Sequence, residues 1–151
     1  MKIRFLVLLI CVVFVTTSCS KNTKDKATQT AENISKTEED FGSFLQDFNK
    51  KPTFQRRRVL FPLEATLLDP SGYTMQTVNE EIKYQEWILL DFTYDSTYVT
   101  RQVDGYEQHI REYSDSTIIE QRGIDNGIYA NYYFMRKDGK WYLKSLTDVS
   151  F

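Results

Sequence analysis

The clearest rhythm in the chain is Phe41, Phe44, Leu45 and Phe48, spaced i, i+3, i+4 and i+7. That spacing places four apolar side chains on one face of a helix. Thr37 stands before it as an N-cap, with Glu38, Glu39 and Asp40 loading the first turn against the helix dipole. The pattern predicts a helix over 37–50, then a second short helix from Thr53 to Leu60 that Pro62 breaks. Pro70-Ser71-Gly72 reads as a turn. Beyond it the period shortens from helix-like to strand-like. Strands are predicted over 73–78, 88–93, 97–103, 106–113 and 117–123, with turns near Asp95-Ser96, Asp104-Gly105 and Ser114-Asp115. The stretch 79–87 is ambiguous, because Asn79 is placed to cap a helical turn carrying Glu80 and Glu81.

The last segment carries the strongest strand signal. Residues 128–136 and 141–149 are rich in Tyr, Phe and Trp, and Lys137-Asp138-Gly139-Lys140 joins them. Asp-Gly between such runs predicts a hairpin. Alternation puts Ile128, Ala130, Tyr132 and Phe134 on one face, opposite Trp141, Leu143 and Ser145 if register holds. Tyr129, Asn131, Tyr133 and Met135 share the other face with Tyr142, Lys144 and Leu146. Both faces are aromatic, so the second is expected to meet something too.

The front of the chain has a different pattern. After Lys2 and Arg4, residues 5–15 are an unbroken apolar run, too short to span a bilayer, which takes about 20 residues. It suits the apolar region of an export signal. Thr16, Thr17 and Ser18 then lead into Cys19. This resembles a bacterial lipoprotein signal, in which the leader is cut before an acylated cysteine, although Thr16 stands where Leu is usual. The implied organisation is a signal peptide over 1–18, acylated Cys19 with a tether to 36, and one domain over 37–151. The tether, 20–36, has Ile34 as its only large apolar residue and cannot offset the entropy of ordering. Acyl chains on Cys19 would hold the protein to a membrane. The tether lacks an acidic run after the cysteine, which favours the periplasmic face of the outer membrane.

Composition narrows the rest. With 41% hydrophobic and 15% aromatic residues, the domain has ample material for one core. Charge is nearly balanced, 19 Lys and Arg against 21 Asp and Glu, which argues against nucleic acid as a partner. Cys11 leaves with the leader and Cys19 is acylated, so no disulfide, thiol nucleophile or thiolate metal site is expected. No cofactor is implied. Within Arg56-Arg57-Arg58, consecutive side chains on a helix point about 100° apart, so one is expected to pair with a carboxylate and two to be solvated.

The two short helices, Phe54-Gln55 with Arg58, Phe61-Pro62-Leu63, and the hairpin through Gly139-Lys140-Trp141 together resemble an uncharacterised family of lipoproteins from Bacteroidetes. Its fold is similar to nuclear transport factor 2 and the cystatins. The resemblance implies an α+β domain with N-terminal short helices packed in a strongly curved antiparallel sheet, a cone with a pocket at its open end. It transfers no catalytic residue, and fold alone does not fix function.

Candidate chemistry is sparse. His109 is the only histidine, suited to general-base work by its intrinsic pKa. Asp91, Asp95, Asp104 and Asp115 lie at separate strand ends, as expected of solvated turn residues. Trp87, His109, Tyr132, Phe134 and Trp141 are candidates to line a pocket for a small apolar ligand, or else simply to fill the core. Tyr129, Tyr133 and Tyr142 are candidates for an interface with an envelope protein or a second copy in a homodimer. A non-catalytic binding module is the leading expectation. A small enzyme using His109 or an aspartate, and a purely structural lipoprotein, are the alternatives. If Cys19 carries the anchor, Cys19→Ser shifts the protein from the membrane to the soluble fraction of lysed cells; an unchanged membrane fraction would rule the anchor out.

Overall fold

The computed structural model describes residues 38–71 and 75–151. The leader, Cys19, the tether, Thr37, and Gly72, Tyr73 and Thr74 of the expected turn and strand lie outside those residues. Helices α1 (Phe41–Lys50) and α2 (Pro52–Arg57) come first. Six strands follow: β1 (Val59–Leu68), β2 (Thr77–Ile82), β3 (Tyr106–Glu112), β4 (Ser116–Gly123), β5 (Tyr129–Lys137) and β6 (Lys140–Asp148). They form one sheet in the order β2-β1-β6-β5-β4-β3. The class is α+β, but the sheet is mixed, since β1 runs parallel to β6 and every other pair is antiparallel. A parallel pair needs a long connection, and the chain between β1 and β6 supplies it.

Asp40 is the cap of α1, its carboxylate accepting from the Ser43 amide at 2.8 Å. That hydrogen bond holds the Asp40 carboxyl below its ordinary pKa. Glu38 and Glu39 therefore precede the helix, contrary to the expectation that they load its first turn. They are spent on long-range contacts instead. Glu39 accepts from both guanidinium nitrogens of Arg58 at 3.0 and 2.8 Å and from the Trp141 amide at 2.8 Å. The Glu39 carbonyl takes the Trp141 indole N–H at 2.9 Å, and Glu38 pairs with Arg136. Of the arginine triplet, Arg58 makes the expected carboxylate pair and Arg57 is exposed. Arg56 is not merely solvated: it donates to the carbonyls of Tyr84 and Trp87.

The second helix stops at Arg57 rather than Leu60, and Val59 already belongs to β1. Pro62 sits inside that strand. With no N–H it cannot serve the ladder, and the register between β1 and β6 shifts between Val59 and Glu64. Residues 79–82 are strand, not a capped helical turn, because Asn79, Glu80, Glu81 and Ile82 pair along β1.

At the hairpin, Asp138 and Gly139 both have positive φ, 54° and 75°, as a tight two-residue turn requires. The expected register fails further along. Tyr133 pairs with Ser145 but Phe134 with Leu143, which leaves Lys144 as an extra residue in β6. This bulge turns Leu146 into the core and Ser145 away from it, the reverse of simple alternation.

The expected strands 88–93 and 97–103 do not form; the second region holds only a single 3₁₀ turn, Tyr98–Thr100. Side-chain amides replace a ladder there. Gln55, buried at 1% exposure, accepts from the Leu90 amide and the Trp87 indole, and donates to the carbonyls of Leu90 and Phe48. Asn49 accepts from the Phe92 amide, and Gln108 donates to the Phe92 carbonyl. So tied, the strap lays Phe92 across the core, 4.7 Å from the Tyr132 ring. Phe134 meets Phe41, Phe44, Phe48 and Phe92 at centroid distances of 5.4–5.9 Å, all near edge-to-face.

Gln55→Ala strips partners from two buried and two part-buried polar groups at about 1–3 kcal/mol for each buried one, less what relaxation recovers. We expect a loss of about 3–5 kcal/mol in denaturant unfolding, and a loss under 1 kcal/mol would contradict this account. Burial also pushes the Tyr132 phenol up to about 12 from 10.0. The unfolded chain then releases that proton first, so stability held below pH 10 falls as pH rises toward 12. Tyr132→Phe should remove the step near pH 12 from an ultraviolet titration of the phenols.

Candidate functional site

The five residues expected to line a pocket do not converge on one. Trp87, Tyr132, Phe134 and Trp141 are all buried in the core. Trp87 meets Phe61 edge-to-face at 5.8 Å, and Trp141 meets Phe41 the same way at 5.2 Å. His109 stands apart from them, exposed on edge strand β3, with Nε2 3.2 Å from a Glu107 oxygen. The four aspartates do not converge either. Asp91 and Asp95 accept from amides two residues on, and Asp104 pairs with Arg101. Among the described residues, no group of three or more His, Cys, Asp or Glu is placed to hold a metal ion.

The three tyrosines do lie off the core face. Tyr129 is 44% exposed, with the Arg122 guanidinium 4.0 Å above its ring. Arg122 also donates to Asn131 at 2.7 Å, Asn131 donates to the Tyr133 hydroxyl at 3.2 Å, and Arg111 bonds Glu120 at 2.9 Å. This network braces β3, β4 and β5 on their outer side. Tyr142 lies elsewhere, beneath Arg58 at 5.3 Å.

The other half of the outer face is concave. In register, Glu64 lies between Glu81 and Ser145, and Thr66 lies between Asn79 and Thr147. Ala65 and Leu146 point into the core, so alternation sends these six side chains to the opposite face. They rim a polar trough of about 540 Å³. Thr66 donates to the Asn79 amide oxygen at 2.9 Å across it. One alternation further, Leu68, Thr77 and Val149 join Met75, Tyr129 and Phe151 around an apolar hollow of about 300 Å³. The two cavities follow each other along the same strands. The Glu64 row and the Leu68 row are four residues apart, about 13 Å along a strand.

Tyr129 is the one sequence-predicted residue that lines either of these two cavities, and it lines the apolar hollow. The trough's polar rim escaped the sequence reading for a definite reason: Glu64, Glu81 and Ser145 are neighbours only through strand register, and the bulge at Lys144 is what turns Ser145 to their face. The adjacent Glu80-Glu81 was visible but read as part of a possible helical turn.

Comparison with known proteins agrees with this fold. The family model described as a domain of unknown function, DUF4348, matches residues 25–148. An NTF2-like protein from Bacteroides fragilis is similar at 25% identity and TM-score 0.56, over 76% of this chain and 48% of that one. The chain thus spans about half the length of that relative. A cystatin-like protein from Bacteroides caccae is similar at 28% identity and TM-score 0.53, over 74% and 76% of the two chains. A protein from Bacteroides uniformis matches at 26% identity and TM-score 0.50, over 72% and 76%. No curated protein matches. The described residues form an NTF2-like, cystatin-like α+β domain, and the chain belongs to the DUF4348 family, a domain of unknown function.

Proposed function

We propose that the protein is a non-catalytic binding module, held at the periplasmic face of the outer membrane by acyl chains on Cys19, and that it binds through the outer face of its sheet. The observation that carries this reading is the trough over β2, β1 and β6, a polar basin that continues into an apolar hollow. Binding sites combine apolar surface with a few placed polar groups, and the two cavities together supply both. The core side offers less, because Trp87, Tyr132, Phe134 and Trp141 are packed there against other rings. The anchor rests on the leader pattern ending at Cys19.

Blocking the trough tests this. Thr147→Trp places an indole in the basin, while Gln46→Trp puts the same group on the exposed side of α1. Chemical crosslinking in intact cell envelopes should give adducts of the wild type that fall at least about tenfold in Thr147→Trp and persist in Gln46→Trp, a difference of about 1.4 kcal/mol. Adducts that survive Thr147→Trp unchanged in a chain with an unaltered melting curve would place binding elsewhere.

A further inference from the structure

The most unusual feature of the trough is its charge. Glu64 and Glu81 are direct cross-strand partners, and like charges in that position repel. Neither carboxylate has an ion-pair or hydrogen-bond partner among the described residues. No Lys or Arg lines the basin, and Lys83, two residues beyond Glu81, and Lys144, next to Ser145, pair with neither glutamate. Elsewhere on the same face the opposite arrangement holds, with Glu120 set between Arg111 and Arg122. The fold thus compensates Glu120 with two arginines and leaves Glu64 and Glu81 bare in the trough.

The apolar end is equally unpartnered: Met75 is 67% and Phe151 80% exposed beside Tyr129. A matching occupant carries a cation at one end and a large apolar group about 13 Å away. It must also be narrow, to lie along the strands, and able to bond with Thr66, Asn79 and Thr147 between the two ends. We propose that the trough receives an extended peptide segment with a Lys or Arg four residues from a large apolar residue, the cation over Glu64 and Glu81 and the apolar side chain over Leu68 and Phe151. This rests on the reading of the trough as the binding face.

The test uses the full chain in detergent micelles and three synthetic blocked pentapeptides: Lys-Thr-Thr-Thr-Phe, the same with Glu for Lys, and the same with Ser for Phe. Calorimetric titration should show the first binding at least about tenfold more tightly than either variant, and weakening with salt. Glu64→Gln with Glu81→Gln should abolish the preference for Lys over Glu, and Phe151→Ser the preference for Phe over Ser. The paired glutamine variant should also melt about 1–3 °C higher, since it relieves repulsion. A lower melting temperature would mean the glutamates are structural and would overturn the proposal. So would equal binding of the three peptides, binding of none, or binding of cadaverine as tight as that of the first peptide, which would assign the site to a small amine. These failures are separable from failure of the trough itself, which Thr147→Trp reports independently in intact envelopes.

Discussion

The Gln55 carboxamide is the point on which the rest of the domain hangs. A buried amide is costly unless its donors and acceptors are met, and here two donated and two accepted hydrogen bonds use its capacity. They join the end of α1, the Trp87 indole and both backbone groups of Leu90. The strap that includes Ile88 to Phe92 needs no strand partner as a result, and it can cross the core rather than extend the sheet. Phe92 then meets Phe48, Tyr132 and Phe134. One side chain on a six-residue helix therefore decides both where a strand is missing and what fills the interior.

A second polar knot works at the opposite end of α1. Glu39 ties Arg58, at the turn from α2 into β1, to Trp141 at the start of β6. The guanidinium also lies 4.7 Å over the Phe54 ring, so its charge is covered by aromatic faces as well as by a carboxylate. Between the two knots the helices are fixed over the centre of the sheet. On the outer face the described residues then do little beyond the bracing around Arg122 and the Thr66–Asn79 hydrogen bond.

Much of this was legible in the sequence. The phenylalanine stripe, the Asp-Gly hairpin and the strand-rich second half are local signals, and local signals survive into the fold. The errors came where a distant partner outbid a local preference. Ile88 to Phe92 reads as a strand, yet Gln55, Asn49 and Gln108 satisfy its backbone from elsewhere in the chain. Glu38 and Glu39 suit a helix start, but Arg136 and Arg58 claim them. Trp87, Tyr132, Phe134 and Trp141 were visible as aromatic surplus, and only packing could divide core from ligand surface. The trough was hidden because it exists in register rather than in composition.

The single extra residue at Lys144 makes β6 change phase midway. Its first half, from Trp141 to Leu143, and its second, from Ser145 to Asp148, answer to opposite parities of the same strand. Any comparison of relatives that aligns this strand as a uniform alternation will therefore assign half of it to the wrong side. A homologue that kept all nine residues of this strand but paired them without the bulge would keep the turn and its aromatic start, yet present leucine where this protein presents serine. Phase, rather than identity, is what decides whether such a relative inherits the polar trough.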